Sequence, residues 1–187
     1  MAETAPSGPM SLAKQRLRVL LANSSTWQTW TGTANATAAL ETIYINALAP
    51  PPNKNKYTLA QLEALRPFAI VETSESGGFK KDAIAGGIGF VFDESGQIVL
   101  SIEANTAEGD VDDPSEAMIK FENNLGNVIS EMATLAGTTG TINVDSNPNY
   151  LNVNEISVEM GPMRSVEDVK NTEGDFHFAV AIIGWGV

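Results

Sequence analysis

The closing segment, Asp175-Phe-His-Phe-Ala-Val-Ala-Ile-Ile-Gly-Trp-Gly-Val187, is an almost unbroken apolar run of strand length and reads as a strand. Phe176, Phe178, Val180 and Ile182 fall on one face; His177, Ala179, Ala181, Ile183 and Trp185 fall on the other. Both faces are mostly apolar, so the strand belongs inside a sheet or against a partner chain. The front of the chain has helical periods instead. Ser11 can cap a helix that carries Leu12, Leu17, Leu20 and Leu21 on one stripe, with Lys14, Arg16 and Arg18 mostly outside it. Ala36, Ala39, Leu40, Ile43, Tyr44 and Ala47 recur at threes and fours and predict a second helix, stopped by Pro50-Pro-Pro52. Thr58 and Gln61 form a capping-box pattern for a short third helix through Leu65, which Pro67 ends.

Phe68-Ala-Ile-Val-Glu72 then opens the sheet, and residues 73–82 read as a mobile loop. Ile84 to Phe92 and Gln97 to Ala104 predict a hairpin, turning at Asp93-Glu-Ser-Gly96. Asp113 caps the longest helix, with Pro114 in its first position and Glu116 returning to the cap. Met118, Phe121, Leu125, Val128, Ile129, Met132 and Leu135 form its stripe, and Gly137 is expected to end it. Within residues 150–160 the apolar phase changes between Val153 and Ile156, which predicts a bulge near Asn154. This order predicts an α+β fold: a mostly antiparallel sheet of about five strands, with one long helix and an N-terminal helical region packed on it. Residues 1–10 read as a flexible lead. The remainder reads as one domain, helical over 11–66 and sheet plus long helix over 67–187.

Composition narrows the chemistry. Among 187 residues there is no cysteine, which removes thiolate catalysis, disulfides and Cys-based metal sites. His177 is the single histidine, so no His-rich metal site can form. The N-terminal segment has no basic and apolar signal pattern, and the apolar runs are too short to cross a bilayer. A cytoplasmic site of synthesis is expected. A formal charge of −12 opposes binding to nucleic acid or an anionic membrane surface.

Glu108-Gly-Asp-Val-Asp-Asp-Pro-Ser-Glu116 brings carboxylates together that could surround calcium or magnesium. It lacks the spacing of a helix-loop-helix calcium loop, and Asp113-Pro114 is accounted for as a helix start. Gly77-Gly78 with Lys80-Lys81 is not a phosphate loop, and Ala85-Gly-Gly-Ile-Gly89 is not a dinucleotide fingerprint. His177, between two phenylalanines, reads as a packed or interface residue rather than a general base. No cofactor is expected. Trp27 and Trp30 read as core anchors, while Trp185 fits a core or an interface equally.

The order of elements carries a resemblance. Ser11-Leu-Ala-Lys-Gln-Arg-Leu-Arg18, Leu65-Arg-Pro-Phe-Ala-Ile-Val71, Asp113-Pro-Ser-Glu-Ala-Met-Ile-Lys-Phe-Glu-Asn-Asn124 and Asp175 to Gly186 are the segments concerned. In their order and in its acidity, the chain resembles the tail terminator and tail completion (neck) proteins of long-tailed bacteriophages. The resemblance implies a non-enzymatic virion protein, assembled in the host cytoplasm. It implies a ring of about six subunits that ends tail-tube growth and joins the tail to the head-side connector. The implied partners are further copies of the chain, the tail tube protein and the connector or neck protein. Genomic DNA would pass through an acidic lumen without specific binding, and no membrane is involved. Expected contact residues are Phe79, Lys80 and Lys81 at a loop tip, Asp110 and Asp112 in the acidic segment, and Phe176, Phe178 and Trp185 in the closing strand. That strand and the hairpin are expected to extend the sheet between neighbours. Two alternatives stay open: another neck or head-completion adaptor, and a metal-dependent hydrolase that uses the 108–116 carboxylates with His177.

Overall fold

The computed structural model describes residues 9–48, 57–73, 79–86, 89–105, 114–139, 152–160 and 176–186. Helix α1 (Pro9–Ala22) begins two residues before Ser11, with a proline in its first turn, where a missing N–H leaves nothing unsatisfied. It buries Ala13, Leu17, Leu20 and Leu21. The chain then reverses at Ser24, whose Oγ accepts from Trp27 N at 3.0 Å and caps α2 (Ser25–Trp30). Asn35 caps α3 (Ala36–Ala39) in the same way, through Ala38 N at 3.0 Å.

The long helix expected beyond Ala36 does not form. After one 3-10 turn at Leu40–Thr42 the chain becomes β1 (Ile43–Ile45), because β-branched Ile43 and Ile45 pair with a neighbouring strand. Asn46, at φ 68°, closes it: its N–H donates to Val71 O at 2.8 Å and its Oδ1 accepts from Lys14 Nζ at 2.7 Å. The capping box at Thr58 is present in full, with Thr58 N donating to Gln61 Oε1 at 3.0 Å, and starts α4 (Leu59–Leu65). Strand β2 (Phe68–Thr73) follows directly after Pro67.

The hairpin differs from the sequence expectation. Strand β3 (Phe79–Gly86) pairs with β4 (Gly89–Asn105), so the reversal lies between Gly86 and Gly89, and Asp93 to Gly96 sits inside a strand of 17 residues. The glycines at both strand ends suit a tighter reversal than the acidic tetrapeptide. Helix α5 (Pro114–Thr139) runs on through Gly137, and β5 (Asn152–Met160) and β6 (Phe176–Gly186) complete the sheet. A register shift between Val153 and Glu155 is the bulge expected near Asn154.

The fold class needs correcting. An α+β fold built mostly on an antiparallel sheet of about five strands was expected, but helix exceeds strand among the described residues. The expected helical front also contributes β1, which runs parallel to β2. The strands run β1-β2-β4-β6-β5, with β3 on β4 beside β2. Only three of them, β1, β2 and β4, carry the described strand core, as an open sheet ending at β1. Its register separates two faces. One row runs Ile45, Val71, Leu100, Ala181, Val158; the next runs Tyr44, Ile70, Ser101, Val180, Glu159. On the first face Val71, Ile98, Leu100 and Ile102 are wholly buried in one cluster with Leu17, Leu20, Phe121, Leu125, Val128 and Met132. Each such side chain contributes about 1.5–3 kcal/mol by leaving water. On the second face Ile70, Val99, Ser101 and Val180 remain half-exposed.

Candidate functional site

Two features could act on a partner: a polar cleft between α2 and α5, and a strand pair that outruns the sheet. The cleft begins with an aromatic series. Trp27 and Trp30 meet edge to face at 5.7 Å between ring centroids, and Trp30 meets Phe121 at 5.5 Å, so α2 leans on α5. Trp27 is fully buried, and its indole N–H donates to Thr42 Oγ1 at 3.1 Å.

Glu131 of α5 then takes hold of the first turn of α2. Its Oε2 accepts from Ser24 Oγ at 2.7 Å and Thr26 N at 3.0 Å, and its Oε1 from Ser25 Oγ at 3.0 Å and Thr26 Oγ1 at 2.7 Å. Burial alone would raise its pKa. The hydrogen bonds from Ser24, Thr26 and Ser25 outweigh that and hold the carboxyl at about 2. Glu131 is therefore a fixed anion at neutral pH, not a proton donor.

Beside this clasp lies an open cleft of about 520 Å³, lined by Ser25, Thr26, Thr29, Trp30, Lys120, Asn124 and Asn127. Its hydroxyls are already engaged: Ser25 and Thr26 on Glu131, and Thr29 Oγ1 on Ser25 O at 2.9 Å. The lining has no carboxylate or imidazole, so it offers hydrogen bonds and one cation but no acid–base pair. Sequence reasoning missed the cleft. Glu131 lies 105 or more positions from its partners, and no local pattern announces such a contact.

The second feature is the β3–β4 hairpin. Strand β6 pairs with β4 from Ser95 to Asn105 and β2 pairs from Ile98 to Glu103, so Gly89 to Glu94 pairs with β3 alone. Six residues of strand carry this arm about 20 Å past the sheet. Its register pairs Ala85 with Phe90, Ala83 with Phe92 and Lys81 with Glu94 on one face. On the other face Ile84 pairs with Val91 and Asp82 with Asp93.

The expected contact residues divide among these features. Phe79, Lys80 and Lys81 are not a loop tip; they form the base of the arm, at positions opposite Gly96, Ser95 and Glu94. Phe176 and Phe178 pair in register with Asn105 and Glu103 of β4, and Trp185 with Gly96. Strand β6 is paired on both sides, with β4 and β5, so it cannot extend the sheet into a neighbour. Asp110 and Asp112 lie outside the described residues, as does most of the 108–116 segment. Among the described residues no His, Asp and Glu group suits a metal ion, and no helix is long and apolar enough to cross a membrane. No family model matches the chain, and no curated protein matches it.

Proposed function

We propose that this chain is a structural subunit of a bacteriophage tail, a tail terminator that assembles into a ring of about six copies. The ring would stop growth of the tail tube and join it to the head-side connector. The observation that carries this reading is the β3–β4 arm. A two-stranded ribbon is marginal by itself in water, and over Gly89 to Glu94 strand β4 pairs with β3 alone. If the arm docks on a different surface of the next copy, the contact is head-to-tail and closes into a ring where its rotation completes a circle.

The resemblance in element order and the charge of −12 support the same reading. On an acidic wall the phosphate backbone of DNA would find no cationic partner and so would pass without sticking. Light scattering on the purified chain, with negative-stain imaging of the main peak, tests the proposal. Rings of uniform subunit number are expected. A chain that stays monomeric both alone and on purified tail tubes overturns it.

A further inference from the structure

The two walls of the cleft between α2 and α5 differ in the hydrogen bonds they leave open. On the α2 wall the hydroxyls of Ser25, Thr26 and Thr29 have their protons committed elsewhere. Ser25 and Thr26 donate to Glu131 Oε1 at 3.0 and 2.7 Å, and Thr29 donates to Ser25 O at 2.9 Å. An ionised carboxylate and a backbone carbonyl only accept, so none of the three protons is free to turn toward the cleft. This wall therefore presents oxygen lone pairs alone.

The α5 wall supplies what the α2 wall lacks. Lys120, Asn124 and Asn127 stand four and three positions apart on one stripe of the helix, which Glu131 continues. Asn124 is half-exposed and Asn127 exposed, and neither side-chain amide makes a hydrogen bond among the described residues. Each offers two N–H donors and a carbonyl acceptor. Trp30, which also lines the cleft, is half-buried, and its ring is fixed edge to face against Trp27 and Phe121, so the cleft has one rigid apolar surface. A volume of about 520 Å³ falls within the range of small-molecule sites.

Charge disfavours an ionic occupant of either sign. An anion is repelled on the α2 side by the lone pairs and by Glu131, and a cation is repelled by Lys120. We propose that the cleft between α2 and α5 is a binding site for a neutral saccharide. Sugar hydroxyls donate to the oxygens of Ser25, Thr26 and Thr29 and accept from the amides of Asn124 and Asn127, while the C–H face of the ring lies on Trp30. This inference stands on the cleft alone and does not depend on the tail-terminator reading.

The test titrates the full chain with maltose, cellobiose and N,N′-diacetylchitobiose, read by tryptophan fluorescence and saturation-transfer NMR, with sodium phosphate and putrescine as charged controls. At least one of the disaccharides should bind saturably, with a dissociation constant of about 1 mM or tighter. Asn124→Ala combined with Asn127→Ala should weaken that binding by about tenfold or more. The melting temperature of this variant should not fall, because neither amide has an internal partner and alanine is the better helix former. Thr29→Val, which removes one acceptor from the opposite wall, should weaken binding as well. Failure of all the disaccharides to bind overturns the proposal. So does sugar binding that the double variant retains in full, which places the sugar elsewhere on the chain. Binding of phosphate or putrescine that the double variant loses, with no sugar bound, assigns the cleft to a charged ligand and overturns it too.

Discussion

Thr26 and Glu131 meet through two hydrogen bonds, the Thr26 amide to Oε2 at 3.0 Å and its hydroxyl to Oε1 at 2.7 Å. With Ser24 and Ser25 completing the shell, a side chain from α5 does the work of a helix cap for α2. The clasp is charged, and its strength therefore depends on pH. The folded pKa of Glu131, about 2, lies below the ordinary 4.5, so its stabilisation is complete above about pH 4.5 and disappears as the pH falls toward 2. Urea melts across that window should show a decline that Glu131→Gln lacks. At neutral pH the variant should be less stable by about 2 kcal/mol.

Trp27 joins the helices to the start of the sheet. Trp27→Ala removes a fully buried indole and should lower stability by about 3–5 kcal/mol. Thr42→Val, which keeps the shape but leaves the indole N–H without its acceptor, should cost about 1–3 kcal/mol. Guanidinium melts of the two variants separate the packing from the hydrogen bond.

The arm makes a prediction of opposite character. If the arm serves assembly as proposed, Phe90→Ser combined with Phe92→Ser should change subunit stability by about 0.5 kcal/mol or less. Assembly should be lost, as read by sedimentation. A variant that melts several degrees lower while its rings persist would place the two phenylalanines in the subunit's own core.

Gly126 offers a gain. It lies inside α5, and an added Cβ there meets nothing within 4 Å. Gly126→Ala should raise stability by up to about 1 kcal/mol, because glycine gives up more backbone freedom than alanine on entering a helix. A denaturant midpoint that does not rise would show that the site is closer to a neighbour than the structure has it.

Local chemistry was legible in the sequence wherever it acts over a few residues. The Thr58–Gln61 box, the opening of β2 after Pro67 and the phase change at Asn154 all lie where their spacing put them. Reading failed where distant contacts decide. Ile43, Tyr44 and Ile45 fit a helical stripe, yet pairing with Ala69, Ile70 and Val71 makes them a strand. Asp93 to Gly96 has turn composition, but β3 on one edge and β6 on the other hold its two ends extended. The same limit hid the helical majority and the Glu131 clasp, both of which depend on which surfaces meet.

Strand β6 is the last element in the sequence, yet it lies between β4 and β5, eleven residues paired along β4. During synthesis, β4 therefore waits for a partner more than seventy positions downstream, and β5 has none at all until β6 arrives. Sheet closure is a late event. A ribosome that stalls after Met160 releases a chain with two unsatisfied strand edges, a species suited to aggregation rather than assembly. The β4–β6–β5 part of the sheet can thus be completed only once translation has passed Gly186.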